Sequence, residues 1–247
     1  MTQPNQAIKL VMALGLTATL AACGGETATN GDPSPTAESS LTTESPEGGE
    51  EGKEYSEGEK ANAEFKDKLS GPELLSALQK GGHVIYFRHA QTEKDYADQA
   101  DPKMKLDDCE TQRKLNDVGI QQSKDIGAAF TEKKIPVDKV ITSEYCRAWK
   151  TADLAFGRHE KNPKLNFLPF EDYTDEQVEE MKANVTPLLT AAPEDGKNTV
   201  IVGHDDIFEA ATGIYPDPQG IAYVLTPDGS GGFTLQANVL PDEWAKL

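Results

Sequence analysis

The chain has 247 residues, a formal net charge of -18 and a hydrophobic fraction of 37%, which is low for a single compact domain of this length. The acidic charge is uneven, because residues 23–62 carry ten acidic side chains against two lysines. Only four of the 24 basic residues are arginine, whereas nucleic-acid binding needs a strongly basic face. We therefore exclude nucleic acid as a partner and expect any phosphate chemistry to depend on a few well-placed cations.

The first 22 residues have the pattern of a bacterial lipoprotein signal peptide. An apolar stretch over residues 10–23 follows a polar segment whose only charged side chain is Lys9. The stretch is shorter than the roughly 20 residues that span a bilayer, and it suits the apolar region of a secretory signal. The end of the stretch, Leu20-Ala21-Ala22-Cys23, resembles a lipobox. We expect an exported protein that is lipid-anchored to a bacterial membrane through Cys23; an ordinary signal peptide with an incidental cysteine is the alternative.

The segment over residues 23–62 has the composition of a disordered tether. It is rich in Ser, Thr, Gly, Pro and Glu, and Leu41 and Tyr55 are almost its only large apolar residues. Such a segment buries too little apolar surface to offset the entropy lost on ordering. We therefore predict that a flexible acidic tether separates the anchor from a folded domain over residues 63–247.

The predicted domain alternates helices with strands. Ser70 to Glu73 matches a capping box, which predicts a helix that ends at Gly81. After this helix, the expected elements in chain order are an apolar strand at 83–87, a helix from Asn116 to 130, a strand at 137–142, a helix at 143–156, a short strand at 165–167, a helix at 174–189, a strand at 199–202, a helix at 205–212, and a hairpin of strands at 221–226 and 232–239. This order predicts an α/β fold, a three-layer sandwich with a mainly parallel sheet.

Ligands of such sheets bind beyond the carboxyl ends of the strands. The three most apolar strands end at Arg88-His89, before Ser143 and Arg147, and at Gly203-His204. Two histidines and two arginines are therefore expected to converge at one edge of the sheet.

A second Arg-His pair, Arg158-His159, provides an internal control. It follows Gly157 at the predicted end of a helix and precedes Asn162-Pro163. We interpret this pair as part of an exposed loop without a chemical role.

Four segments resemble the histidine phosphatase superfamily, which includes phosphoglycerate mutases and many acid phosphatases. They are RHAQT at 88–92, LNDVGIQQS at 115–123, SEYCRAWKTA at 143–152 and VIVGHDD at 200–206. They stand in the order of the family, although Ala90 replaces its usual glycine. The resemblance implies a phosphoglycerate mutase-like fold over residues 70–247. No pair of histidines stands at metal-ligand spacing, and we expect neither a metal nor another cofactor.

The same residues suit phosphoryl transfer. His89 is the candidate nucleophile, because imidazole offers a lone pair near neutral pH, and we expect its other nitrogen to donate to a backbone carbonyl. Arg88 and Arg147 offer forked donors that match phosphoryl oxygens. His204 is expected to bind the same group, as an imidazolium when phosphate is present, and Thr92 is a candidate hydroxyl donor in the pocket. Taken singly, Arg147 and His204 are ordinary structural residues, and only their register with the other segments assigns them a function.

The leaving group needs a proton donor. Asp205 resembles the general acid in the branch of the family that carries a His-Asp motif. Other branches place a glutamate between the second arginine and the second histidine, where Glu171 is the candidate. Asp205 and Asp206 also stand at a predicted helix start, where carboxylates cap helices. We assign the role to Asp205 and keep Glu171 as the alternative.

If Cys23 is lipidated, Cys109 and Cys146 remain as an even number of cysteines in an oxidising compartment. We predict a disulfide between them, which would join the loop after the nucleophile to the helix that carries Arg147. Two reduced thiols are the alternative.

These interpretations predict an exported phosphatase that hydrolyses a small phosphorylated substrate through a phosphohistidine. A phosphohistidine-protein phosphatase is one alternative. The other is a noncatalytic phospholigand-binding lipoprotein that retains the same arginines.

Overall fold

The computed structural model describes residues 55–93, 98, 101–169 and 172–247, and Glu51–Leu247 form one compact unit. The predicted signal peptide, the lipidation site Cys23 and the alternative acid Glu171 lie outside the described residues. In the part of the chain that is described, no helix combines the length and the apolar character that crossing a bilayer requires.

The described residues form six α-helices and six strands. The helices are α1 (Glu57–Glu64), α2 (Gly71–Lys80), α3 (Asp117–Glu132), α4 (Cys146–Phe156), α5 (Asp175–Leu189) and α6 (Asp205–Thr212). The strands are β1 (Val84–Arg88), β2 (Val137–Thr142), β3 (Glu160–Lys161), β4 (Asn198–Gly203), β5 (Ala222–Pro227) and β6 (Phe233–Val239). Short 3-10 turns lie at Cys109–Thr111, Pro163–Leu165 and Trp244–Lys246.

The strands form a single sheet in the order β3-β2-β4-β1-β5-β6. Strands β3, β2, β4 and β1 run parallel, whereas β5 pairs antiparallel with both β1 and β6. The central strands β1 and β4 are buried along their whole length, as expected for parallel strands that are covered on both faces. The mainly parallel sheet and the final hairpin are confirmed.

Helices cover both faces of the sheet. Alternate residues of a strand point to opposite faces, so Ile85 and Phe87 pack with the apolar side chains of α2, α3 and α4. Val84 and Tyr86 pack with the apolar side chains of α5 and α6 on the other face. The predicted three-layer sandwich is therefore confirmed.

The predicted tether extends too far along the chain. Residues 57–64 form α1, which begins with a capping box: the Ser56 hydroxyl accepts from the Glu59 backbone N–H at 3.1 Å, and the Glu59 carboxylate accepts from the Ser56 backbone N–H at 2.8 Å. Asn62 then bonds to Tyr223 in the sheet. Composition could not indicate this helix, because its partners are more than a hundred residues away in the sequence.

Two local predictions are also wrong. Helix α2 forms, but Ser70 makes no side-chain capping bond. The short strand expected at 165–167 is instead a 3-10 turn and an extended segment, and the edge strand β3 lies at Glu160–Lys161. Leu165 and Phe167 are buried against the face of the sheet that α5 and α6 cover, and this burial explains their strand-like apolar pattern.

Candidate active site

Polar side chains meet at the carboxyl edge of the sheet. Arg88 ends β1 and His89 follows it, Ser143 follows β2, and His204 follows β4. Because β2, β4 and β1 are neighbours, these residues lie side by side, and the ring centroids of His89 and His204 are 5.5 Å apart. The exposed fractions of His89 and His204 are 0% and 1%. The expected convergence of the strand ends is confirmed.

The His89 ring is held with one nitrogen free of its proton. Nδ1 lies 2.9 Å from the carbonyl oxygen of Ala90, and a carbonyl only accepts, so Nδ1 carries the proton. Nε2 therefore keeps its lone pair, and it faces Arg147 Nε at 3.2 Å and Arg113 Nη2 at 3.3 Å. Burial, followed by the positive charges of Arg147 and other neighbours, holds the pKa of His89 well below its usual value. The ring is neutral at pH 7, as a nucleophile requires.

Arg113 was not identified from the sequence. It lies in a stretch without regular structure, between the 3-10 turn at Cys109–Thr111 and α3. An isolated bridge between Thr92 and Leu115 brings this stretch beside the segment that follows His89. The sequence signal that could have pointed to Arg113 is the scarcity of arginine, because the chain has only four. Three of the four act on the pKa of His89.

Asp98, which was also missed, orients two of these arginines. Both of its carboxylate oxygens accept from Arg147 Nη1, at 3.1 and 3.0 Å. Its Oδ2 also accepts from the backbone N–H of Arg113 at 2.8 Å. Asp98 is 2% exposed, and the Arg147 guanidinium lies over the rings of Tyr145 and Phe167, with centroid distances of 4.8 and 5.4 Å. Asp98 therefore balances the buried charge of Arg147 and aligns its fork.

Arg88 is held from the opposite side by the loop after α6. Its Nη1 donates to the carbonyl oxygen of Pro216 at 3.0 Å and to Asp217 Oδ1 at 2.9 Å. Its Nη2 pairs with Asp205 Oδ2 and donates to the Tyr215 hydroxyl at 3.4 Å. The positive charge of Arg88 contributes to the lowered pKa values of both pocket histidines. Arg88 is thus a fixed buried cation of the pocket.

His204 presents one ring nitrogen without a partner. Its Nε2 lies 2.6 Å from Ser143 Oγ, whereas its buried Nδ1 has no hydrogen-bond partner among the described residues. Burial, followed by Arg147 and other cations, holds the pKa of His204 well below its usual value. A bound anion would supply a partner for Nδ1 and would favour the protonated ring. Helix α4 begins at Cys146 rather than at Ser143 as predicted. Ser143 lies before the helix and contacts His204.

The candidate acid Asp205 has both of its carboxylate oxygens engaged. Oδ2 pairs with Arg88 and accepts from the Tyr215 hydroxyl at 2.9 Å, and Oδ1 accepts from the backbone N–H of Asp206 at 3.2 Å. Burial, followed by the negative charges of Asp205 and Glu209, raises the pKa of the neighbouring Asp206 to about 7. The two carboxyl groups therefore differ: Asp205 is tied into the arginine network, and Asp206 titrates near neutral pH.

Thr92 differs from the expectation that it offers its hydroxyl to the pocket. The hydroxyl donates to Gln219 Oε1 at 3.2 Å, and the backbone N–H of Thr92 donates to the same oxygen at 2.8 Å. Thr92 thus links the segment after His89 to the loop that precedes β5.

The predicted disulfide between Cys109 and Cys146 is confirmed, with Cα atoms 5.7 Å apart. Beside it, the Cys146 backbone N–H donates to Gln112 Oε1 at 2.8 Å. Gln112 directly precedes Arg113, and Cys146 directly precedes Arg147. The bridge therefore joins the two segments whose arginines face His89 Nε2.

Among residues 55–247, leaving aside the undescribed positions, no group of three His, Cys, Asp or Glu side chains is arranged to hold a metal ion. The positive charge of the described pocket comes from its guanidinium groups. Residues 84–198, which include His89, Arg113 and Arg147, match the family described as the histidine phosphatase superfamily, branch 1. This segment of the chain is therefore similar to the superfamily, and the match supports phosphatase activity.

The chain also resembles several solved structures, whereas no curated protein matches it. The protein histidine phosphatase SixA complexed with tungstate aligns with a TM-score of 0.47 and 18% identity over 65% of this chain and 98% of that one. A putative alpha-ribazole-5'-P phosphatase from Escherichia coli K-12 gives 0.49 and 15% over 65% and 98%. The phosphoserine phosphatase of Entamoeba histolytica, complexed with 3-phosphoglyceric acid, gives 0.46 and 15% over 63% and 95%.

Proposed function

We propose that this protein hydrolyses small phosphate monoesters through a phosphohistidine on His89, on the extracytoplasmic side of a bacterial membrane. The observation that carries the proposal is the orientation of His89. Its Nδ1 is bound to the Ala90 carbonyl oxygen, while Nε2 faces the guanidinium groups of Arg113 and Arg147. A lone pair directed at two forked cations is the arrangement that in-line attack on a phosphoryl group requires.

In the first step, phosphoryl oxygens replace His89 Nε2 as the acceptors of the Arg113 and Arg147 donors. Nε2 attacks phosphorus, and the bond from phosphorus to the ester oxygen breaks. The leaving oxygen takes a proton from Asp205, which must enter this step in its protonated form. The buried cations stabilise the charge that spreads over the equatorial oxygens.

In the second step, water attacks the phosphohistidine. The bond between phosphorus and Nε2 breaks, its electron pair returns to the ring, and inorganic phosphate leaves. The ionised Asp205 takes the proton from the attacking water, so the step restores both groups. The bond from Nδ1 to Ala90 keeps the ring in one tautomer throughout.

The assignment of the acid rests on position. Asp205 directly follows His204 and shares Arg88 with the phosphate pocket. Asp206 competes for the role because its pKa is raised to about 7. We expect Asp205→Asn to slow hydrolysis of alkyl phosphates far more than that of aryl phosphates, because poor leaving groups need the proton most. If Asp206→Asn or Glu171→Gln showed this leaving-group dependence instead, the residue replaced in that variant would be the general acid.

The catalytic proposal is tested with the full chain and a panel of phosphate esters, by rapid quenching to trap the phosphoenzyme. We expect acid-labile phosphate on the wild-type chain and none on His89→Ala. Hydrolysis that persists unchanged in His89→Ala would refute the nucleophile. Binding of vanadate without turnover of any ester would support the noncatalytic phospholigand-binding alternative, and turnover restricted to phosphohistidine proteins would support the other alternative.

The location is tested separately. The lipobox at Cys23 supports an exported, lipid-anchored protein. Cells that express the full chain should incorporate labelled fatty acid into it, and Cys23→Ser should abolish the label and release the protein from membranes. Labelling that survives in Cys23→Ser would refute the anchor.

A further inference from the structure

Helix α1 lies outside the segment that matches the family, residues 84–198, and yet it contacts the loop that holds Arg88. The Gly58 carbonyl oxygen accepts from the Tyr215 backbone N–H at 3.0 Å. Asn62 Nδ2 donates to the Asp217 carbonyl oxygen at 2.9 Å. Two bonds from one helix therefore fix the two ends of the segment 215–217.

Each residue of this segment contacts Arg88. Pro216 offers its carbonyl oxygen and Asp217 its carboxylate, while the Tyr215 hydroxyl accepts from Arg88 and donates to Asp205. A shift of the segment backbone would therefore move all three partners of the guanidinium at once.

The contact between Asp217 and Arg88 depends on the position of the backbone. The Asp217 side chain is 62% exposed, and water can replace an exposed carboxylate contact at little cost in free energy. The Asp217 carboxylate therefore stays on the buried Arg88 only if the backbone of Asp217 is held in place. The bond from Asn62 to the Asp217 carbonyl oxygen supplies this restraint.

Glycine at position 58 leaves room for the close packing of α1. A Cβ atom at Gly58 would lie 3.1 Å from Tyr215 Cβ and still closer to the Glu209 carboxylate. Glycine lets the helix backbone approach Tyr215 closely enough to accept its N–H. At the other end of α1, Asn62 Oδ1 accepts from the Tyr223 hydroxyl at 2.6 Å, which joins this end of the helix to the sheet.

We propose that α1 positions the phosphate pocket: Asn62 holds the segment 215–217, and this segment orients Arg88 toward the substrate phosphoryl group. The inference rests on the proposed function of Arg88 in phosphate binding. Asn62 is a positioning residue that acts through Asp217, so its loss should weaken phosphate binding and leave the chemical step largely unchanged.

The test compares three variants of the full chain. Asn62→Ala removes the bond to Asp217. Lys60→Ala is the matched control on the same helix, because exposed Lys60 pairs with Glu57 across one turn and has no other side-chain bond to a described residue. Tyr223→Phe removes the bond to Asn62 Oδ1 and leaves the donor to Asp217 in place, so it reports any purely structural effect.

We expect Asn62→Ala to raise KM and the vanadate inhibition constant about fivefold, the factor that corresponds to one lost hydrogen bond. Its kcat should stay within about twofold of the wild-type value, a change too small to reflect a lost transition-state contact. Lys60→Ala and Tyr223→Phe should keep the wild-type KM. Equal KM values for Asn62→Ala and Lys60→Ala would overturn the inference, as would a lowered melting temperature without a change in KM.

Calorimetric titration with inorganic phosphate separates this inference from the proposed function. Weaker phosphate binding by Asn62→Ala in a chain that turns over no ester would refute the proposed hydrolysis and support the inference. Normal turnover with unchanged phosphate affinity in Asn62→Ala would support the proposed hydrolysis and refute the inference about Asn62.

Discussion

The chain contains two Arg-His pairs, and the fold gives them opposite surroundings. Arg88-His89 ends a central strand and is buried. Arg158-His159 follows α4, where exposed Arg158 donates to the Val137 carbonyl oxygen at 2.8 Å and His159 Nδ1 lies 2.6 Å from Asp153 Oδ1. The same two residue types thus lie in a buried cationic pocket at a strand end and in local polar contacts after a helix. Arg158 is exposed as predicted, whereas His159 is partly buried, with 21% of its side chain exposed.

The difference lies in the charges around each ring. His89 is enclosed by the cations Arg88, Arg113 and Arg147, which with burial keep it neutral. His159 instead faces a carboxylate and stacks on Trp149, with a centroid distance of 5.4 Å. An imidazole becomes a nucleophile only where its neighbours disfavour protonation and where an electrophile can replace them as partner.

The largest expected effect is a difference in kcat between variants of the two histidines. His89→Ala should lower kcat at least about 10³-fold, because the covalent route is lost. His159→Ala should keep the wild-type kcat. Steady-state assays with one aryl phosphate check both variants, and similar losses in the two would show that the pairs are not functionally distinct.

Next in size is the disulfide, which belongs to the surroundings of the buried pair alone. The double variant Cys109→Ser/Cys146→Ser should lose up to about 4 kcal/mol of unfolding free energy, the chain-entropy value for a loop of this length. Urea denaturation of the variant and of the reduced wild-type chain should agree. Because the bridge joins the segments of Arg113 and Arg147, KM should rise as well; an unchanged KM would show that these segments hold their positions without it.

A third effect separates Asp98, the carboxylate that pairs with Arg147 in the pocket, from the carboxylate at the surface pair. Asp98→Ala should lower the unfolding free energy by about 3 kcal/mol, because it leaves Arg147 buried without its partner. Asp153→Ala, the control at the surface pair, should change it by less than about 0.5 kcal/mol. Denaturation curves at pH 7 measure both, and equal losses would contradict the difference in burial.

The smallest effect concerns Asp206 and depends on pH. Its pKa is raised to about 7, so the folded state favours the proton, and this favourable contribution is lost as pH rises through 7. Asp206→Asn should therefore stabilise the protein at pH 8 by about 1 to 2 kcal/mol more than at pH 5, a value reduced for partial exposure. Urea denaturation at the two pH values tests this. A larger gain at pH 5 would show that folding lowers the pKa of Asp206 rather than raising it.

Much of the fold could be predicted because local patterns report burial directly. The apolar strands at 137–142 and near 199–202, and the Asn116 cap of α3, are found where the sequence indicated them. The expected strand at 165–167 failed because buried Leu165 and Phe167 have an apolar pattern without ladder pairing. Helix α1 was missed because its acidic composition suggests disorder, while distant contacts hold it.

The sequence by itself determined that His89 and His204 meet, because parallel strands present their carboxyl ends at one edge of a sheet. It also placed Arg147 at the start of the helix after β2. Only the tertiary structure decided which groups face Nε2 and which carboxylate holds them, since the sequence around Arg113 and Asp98 carries no periodic signal. The same holds for the segment 215–217, whose Asp217 bonds Arg88 across 129 residues of sequence. Local periodicity encodes which face a residue presents, whereas the choice of a partner depends on charge and packing between segments that only folding brings together.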